Sequence, residues 1–313
     1  MSKRLQHWRA HLTQTRGFHP VWIVFAVGAT AMTAALILIP AELLSFSSRH
    51  AGTPHGTTQA ASPAPAPAPA PALRSPIMPA VFHPPAEADM PKGEFGKMVQ
   101  LGHDILVDTQ THARAYVGNG LNCANCHLDA GRKADSAPLW GAYAMYPAYR
   151  EKNHKVNSYE DRLRDCFRFS MNGKAPPPGS PELIALTSYS YWLATGAPTG
   201  VRLPGSGYPA LDEPPLAPDA TRGAQVYASH CAACHGAEGQ GTRAGARYAF
   251  PPLWGSDSFN GGAGMARVAT AAGFIHANMP LGQGGSLSVQ EAWDVAQFVN
   301  SHDRPADPRR GHS

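Results

Sequence analysis

The chain is poor in charge: Asp, Glu, Lys and Arg make up only 15% of its 313 residues. Five of its 26 Lys and Arg and one of its 22 acids lie in the first 50 residues, so the remainder carries 21 of each and is formally neutral. Global charge therefore says nothing about nucleic acid, and no such partner is expected. Charge is absent altogether from Val21 to Ile39, a run of 19 residues. That is long enough to cross a bilayer and longer than a usual signal h-region. Lys3, Arg4, Arg9 and Arg16 precede it with no acid among them, which leaves the N-terminus (1–20) cytoplasmic and places the chain beyond Pro40 on the periplasmic side. A retained transmembrane anchor (21–39) is therefore expected. The small-x-small triplet Ser45-Phe46-Ser47 keeps a cleaved signal, and a soluble periplasmic protein, as the alternative.

Cysteine is also scarce, and the count of five is odd. Four of the five fall in two Cys-x-x-Cys-His motifs, Cys123-Ala124-Asn125-Cys126-His127 and Cys231-Ala232-Ala233-Cys234-His235. In this pattern two thiols take thioether links to porphyrin vinyls and the adjacent His becomes the proximal iron ligand. A four-thiolate zinc site is the competing reading. The immediately following His in each motif and the 104 residues between Cys126 and Cys231 weigh against it. Exported chains seldom keep free thiols, which further favours two covalently bound haems c. The fifth cysteine, Cys166, stands alone between them.

Residues 40–90 include Ser62-Pro63 and an alternating Ala-Pro stretch to Pro71, an extended, semi-rigid linker with no core of its own. A second Pro/Gly-rich stretch (203–216) separates two modules, 91–202 and 217–303, before a tail (304–313). The modules repeat internally. Pro138-Leu139-Trp140-Gly141 follows the first motif and Pro252-Leu253-Trp254-Gly255 the second. Amphipathic helices are expected at Gly93–Thr109 and Pro181–Thr195 in the first module, and at Asp219–Cys231 and Ser288–Ser301 in the second. The fold class is thus mainly α: two tandem cytochrome c-like haem domains after a transmembrane helix and an Ala/Pro-rich linker. The first would be the catalytic haem domain and the second the electron exit.

Met279 lies 44 residues beyond His235 and is the expected thioether ligand of the second haem, with a core methionine and His276 as competing readings. The first haem is harder to assign. Counted from the repeated tryptophan, Met279 is 25 residues on, Cys166 26 and Met171 31. Counted back from the closing helix, Met279 stands 19 residues before Phe298, Met171 21 before Trp192 and Cys166 26 before it. The two rulers disagree, which leaves Cys166 and Met171 both open, with His154 and Met145 as outside candidates. For Cys166 the plain alternative is a small buried hydrophobe. Arg162 lies four residues earlier, on the same face if the segment is helical, and would favour a thiolate. Nine Lys or Arg against five acids between Arg132 and Lys174 form either a solvated surface offsetting haem propionates or a site for a small anion.

Three stretches resemble a known family, the dihaem thiosulfate dehydrogenases: Gly118-Asn119-Gly120-Leu121-Asn122-Cys123 running on to Gly131, Pro138 to Arg150, and Tyr159 to Lys174 with Arg162, Cys166, Ser170 and Met171. The likeness spans about residues 93–303, specific in the first module and generic in the second. It implies that Cys166 is the distal ligand of the first haem, with the active site beside it. It further implies that Arg162, Ser170 and Arg150 hold an anionic substrate. The family usually reads Cys-x-Glu-Arg-Ser-x-Asn-Gly, whereas Arg168-Phe169 stands here where Glu-Arg is expected, moving the positive charge by one residue.

The resulting expectation is an enzyme that oxidises two thiosulfates to tetrathionate, or runs the reverse, and passes two electrons to a soluble or membrane cytochrome. Arginines suit the bidentate grip that two sulfonates need, and Cys166 could bond the first sulfane sulfur. A membrane-anchored dihaem carrier without substrate, with Met171 on the first haem, is the alternative. So is a Sox-type cytochrome that transfers thiosulfate to a carrier cysteine.

Overall fold

Residues 82–310 are described by the computed structural model. The apolar run 21–39, the Ser45–Ser47 triplet and the Ala-Pro stretch lie outside the described residues. Among the described residues no helix is long and apolar enough to cross a membrane.

The first module runs α1 (Gly93–Val107), α2 (Thr109–His112), a 3-10 turn over Cys123–Asn125, α3 (Leu128–Gly131), α4 (Leu139–Tyr143), a hairpin of β1 (Ala148–Arg150) and β2 (Lys155–Asn157), α5 (Tyr159–Phe169) and α6 (Pro181–Leu193). The second runs α7 (Ala220–His230), α8 (Ala232–His235), a hairpin of β3 (Thr242–Ala244) and β4 (Arg247–Phe250), α9 (Val268–Asn278) and α10 (Val289–Ser301). The chain is mainly helical, and both hairpins are antiparallel.

Local chemistry sets the boundaries. Ser158 caps α5 by accepting from Asp161 N–H at 3.0 Å while the Asp161 carboxylate takes the Ser158 N–H at 3.0 Å. Ser288 and Glu291 repeat this reciprocal cap at α10. Asp219 caps α7 through Arg222 N–H, and Pro181 opens α6 where its missing N–H costs nothing. Helix α1 stops two residues before the expected Thr109. Asp108 leaves the helical region, and the Thr109 hydroxyl donates back to Ile105 O at 2.8 Å. Helix α6 stops at Leu193 rather than Thr195, as the chain turns through Gly196 at φ +87°.

In each module the opening helix crosses the closing helix at a glycine. A Cβ on Gly102 would lie 2.2 Å from Ala185 O, and one on Gly223 would lie 2.0 Å from Asp294 O. Only glycine allows backbones this close. Around the first crossing Val99, Ile105, Trp140, Leu183, Leu186, Tyr189 and Leu193 are fully buried, each large side chain contributing about 1.5–3 kcal/mol. The second module has a smaller centre of Tyr227, Val295 and Val299, packed by Trp254 and Phe298.

A polar seam joins the modules at the end of α5. Buried Asn260 donates to Arg168 O at 2.8 Å, and buried Asn119 donates to Ser170 O at 2.9 Å and Ser258 O at 3.2 Å. These bonds fix how α5 presents its side chains.

Candidate catalytic site at the first haem module

Leu106, Leu139, Ala142, Leu163, Phe167 and Leu186 wall an apolar cavity of about 60 Å³. Cys123, His127, Arg162, Cys166 and Met171 open onto the same space. His127 Nδ1 lies 2.7 Å from Ala137 O, an atom that can only accept, so Nδ1 carries the proton and Nε2 keeps its lone pair. Burial lowers the ring's pKa to about 4, against the raising effect of that bond, so the imidazole is neutral. A neutral imidazole oriented by a carbonyl is what an iron ligand requires. In the second module His235 Nδ1 lies 2.9 Å from Pro251 O, and burial lowers its pKa too.

The two carbonyls occupy equivalent places, each belonging to the residue just before a Pro-Leu-Trp-Gly tetrapeptide. The repeat thus has a chemical reason beyond duplication. It hands the proximal histidine its hydrogen-bond acceptor and packs a tryptophan into the module, buried in the first and partly buried in the second. Trp140 Nε1 donates to Arg132 O at 2.9 Å, and Trp254 stacks on His302 with ring centroids 4.0 Å apart. Paired thiols, an oriented neutral imidazole and an apolar cavity fit a covalently attached porphyrin.

Helix α5 brings Arg162 and Cys166 to one face: Arg162 Nη1 donates to Cys166 Sγ at 2.8 Å. The Cys166 sulfur is the strongest influence holding the Arg162 guanidinium ionised above its usual range, against the opposing effect of burial. Met171 is also buried and lines the cavity, but a thioether offers only a weak acceptor, and among the described residues no polar side chain bonds it. His154 is exposed in the turn of the β1–β2 hairpin.

On its outer side Arg162 also lines a second cavity, of about 340 Å³, shared with Tyr146, Arg150, Lys152, Arg168, Phe169 and Arg309. Arg150 Nη1 donates to the Tyr146 hydroxyl at 2.5 Å. Neither Arg150 nor Arg162 has a carboxylate within ion-pair reach among the described residues, so both charges face the cavity uncancelled. Arg168 lines it as well, 3.4 Å from Asp165. The positive charge displaced by one residue along the chain therefore still reaches the same space. Ser170 caps the end of α5 and lines neither cavity; its carbonyl serves the interdomain seam. Met279 follows α9 directly, its N–H bonded to Ile275 O at 2.8 Å.

Sequence reasoning missed three contributors. Lys152 sits 4.4 Å over the Phe169 ring, Arg309 enters from the segment read as a tail, and Tyr208 comes from the interdomain linker. Tyr208 is close enough to Cys126, Arg162 and Cys166 to feel their charges, and burial above all pushes its phenol well above the ordinary range. Only the basic surplus near the first haem hinted at Lys152; nothing local marked the other two.

Two modules of this design, each presenting a Cys-x-x-Cys-His motif and an oriented imidazole, define a dihaem c-type cytochrome. The family model described as SoxA/TsdA, cytochrome c domain, matches residues 110–199, and that of cytochrome C oxidase, cbb3-type, subunit III, matches 218–299. The chain is 61% identical over 228 residues to a thiosulfate dehydrogenase of Stutzerimonas stutzeri, covering 73% of this chain and 74% of that one. It is 58% identical over 230 residues to a thiosulfate dehydrogenase of Thiomonas intermedia, covering 74% and 73%. The structure of a thiosulfate dehydrogenase (TsdBA) from Marichromatium purpuratum, in its as-isolated form, superposes with a TM-score of 0.72 at 50% identity. That match covers 74% of this chain and about half (51%) of the longer one. The chain belongs to the thiosulfate dehydrogenase family, and the family's cytochrome c domains carry covalently bound haem c.

Proposed function

We propose that the chain oxidises two thiosulfates to one tetrathionate at the first haem module. The reading is carried by one observation: Arg162 donates to Cys166 Sγ while lining both the haem cavity and the cationic cavity beside it. A nucleophilic sulfur is thereby set where an oxyanion would be gathered. The same bond favours Cys166 over Met171 as the distal ligand of the first haem.

The electrostatic problem is large. Bringing two dianions to a charge separation of ~5 Å costs about 13 kcal/mol at an effective dielectric constant of ~20. Arg162, Arg150 and Lys152 offset that repulsion, the arginines with two-pronged donors matched to sulfonate oxygens. The Cys166 thiolate bonds the sulfane sulfur of the first thiosulfate. Two electrons leave, and a Cys166–S–S–SO3⁻ adduct remains. The sulfane sulfur of the second thiosulfate then attacks the adduct's sulfane sulfur. The Cys166 sulfur departs as thiolate and tetrathionate is released, with no proton consumed. Arg162 stabilises the thiolate at both ends of this cycle. The haems, when bound, take up the two electrons.

Met279 and His235 would together hold the iron of the second haem, which would pass electrons to an external soluble or membrane cytochrome. The run 21–39 holds the protein at the periplasmic face of the inner membrane. The test is anaerobic addition of thiosulfate to the purified dihaem protein alone. Haem reduction is expected with one tetrathionate formed per two electrons. A protein that stays oxidised until a partner is added would contradict the reading.

A further inference from the structure

The cationic cavity has one wall that neither module's haem chemistry accounts for. After α10 the chain folds back along the second module, with Gly261 N–H donating to Pro305 O at 2.9 Å, and reaches Phe169 of the first through Arg309. It then places buried Asp307 under Arg309. Arg309 Nε donates to Asp307 Oδ1 at 2.9 Å and Nη2 to Oδ2 at 2.5 Å. Its guanidinium lies 4.8 Å from the centroid of buried Phe169, the ring that Lys152 also covers at 4.4 Å. Two cations on one aromatic ring would repel each other unless something negative sat between or beside them. Asp307 answers one of the two charges.

Of the five N–H donors on a guanidinium, Asp307 takes two, which leaves three on Arg309 without an acceptor among the described residues. Arg309 is half-exposed toward the cavity. The cavity is lined by five cations (Arg150, Lys152, Arg162, Arg168 and Arg309) against Asp165 in the lining and Asp307 behind it. The surplus is suited to more than one anion. Arg162 lines both the cationic cavity and the haem cavity, whereas Arg309 lines only the former. The two arginines therefore mark an inner and an outer end.

We infer that Arg309 forms an outer sulfonate subsite, binding the second thiosulfate and, after coupling, the end of tetrathionate remote from Cys166. This rests on the proposed function and adds its second substrate position. Phe169 supplies the flat support for the guanidinium, and Asp307 is a positioning residue that fixes its plane. The chain thus closes its substrate site with a segment more than 140 residues beyond Cys166. The departure at position 169 gains a purpose, since the aromatic ring carries two cations from elsewhere in place of one on α5.

The test uses the full dihaem protein in its oxidised state. Calorimetric titration with tetrathionate is compared for wild type, Arg309→Gln, Arg309→Lys and the outward neighbour Arg310→Gln, alongside steady-state thiosulfate oxidation. Arg309→Gln should weaken tetrathionate binding by about tenfold or more, the usual cost of losing a charge-assisted contact. It should raise the half-saturating thiosulfate concentration comparably, with kcat within about twofold of wild type. Arg309→Lys should recover part of the affinity, and Arg310→Gln should match wild type. Unchanged tetrathionate affinity in Arg309→Gln, in a wild type that does bind and form tetrathionate, would overturn the subsite alone. A lower melting temperature with unchanged affinity would overturn it in the same way, by showing a purely structural tie. A wild type that neither binds tetrathionate nor forms it would overturn the functional reading as well.

Discussion

Each haem module carries a helix arginine held by one side-chain partner, and the two are used in opposite ways. Arg222 of α7 is tied to Asp294 of α10 by two hydrogen bonds, Nε at 2.7 Å and Nη2 at 2.8 Å, so its charge is consumed within the fold. Arg162 of α5 meets no carboxylate among the described residues and donates to the sulfur of Cys166. One module has neutralised its cation to hold two helices together at the Gly223 crossing. The other has kept its cation available beside a cavity. Two copies of one design can divide the labour in this way because haem attachment, the carbonyl-bound histidine and the glycine crossing fix the fold, leaving the remaining helices free to specialise.

Breaking the cation that faces the sulfur should have the largest effect. Arg162→Gln is expected to lower kcat/KM for thiosulfate on the order of 100-fold, from the loss of a charge-assisted contact worth about 1.5–3 kcal/mol. Both haems should remain attached, as read by pyridine haemochrome content. Breaking the matching pair in the second module should leave chemistry alone and cost stability. Asp294→Asn is expected to lower the melting temperature, by circular dichroism, with an unchanged rate per folded molecule.

The same pair gives the comparison a pH dependence. Burial disfavours the Asp294 carboxylate, but the hydrogen bonds from Arg222, Asp219 N–H and Gln290 outweigh it and hold the group below its ordinary range. A carboxylate depressed by folding adds stability above its unfolded pKa and loses it as pH falls through the folded value. Wild type should therefore lose stability on acidification below the usual carboxylate range more steeply than Asp294→Asn. Equal slopes in pH-resolved melts would remove Asp294 from the stability ledger. The smallest change is expected for Arg168→Ala. Arg168 lies on the rim beside Asp165, half-exposed, where a screened charge is worth about 0.2–1 kcal/mol. Thiosulfate saturation curves should shift by no more than about fivefold.

Much of this was legible in the chain before its fold. The attachment motifs identify themselves because covalent haem demands fixed local spacing. The four expected helices lie within two residues of expectation, and in the second module the caps that open them are local: Ser288 with Glu291, Asp219 with the N–H of Arg222. The pairing of Arg162 with Cys166 is readable for the same reason, as one turn of helix joins them. The tail was not legible. Arg309 becomes part of the cavity only through Asp307, Pro305 and Gly261, contacts between segments with no pattern in common. Tyr208 sits in a Pro/Gly-rich stretch that reads as a spacer, yet its ring packs edge-on against Phe274 at 5.7 Å. Ser170 is expected beside the substrate from the family pattern; its carbonyl is taken by Asn119, which also donates to Ser258 O of the second module, a link that no local pattern announces.

On the proposed function, Arg162 beside Cys166 separates an enzyme from an electron carrier. The most direct test mixes thiosulfate anaerobically with the haem-loaded wild type and with Cys166→Gly, and follows haem reduction and tetrathionate together. Wild type should be reduced and form tetrathionate, while the variant, with both haems still attached, should do neither at a measurable rate. A variant that turns over at the wild-type rate, with the first haem's spectrum unaltered, would contradict the assignment and favour Met171 as the residue that would hold the first haem.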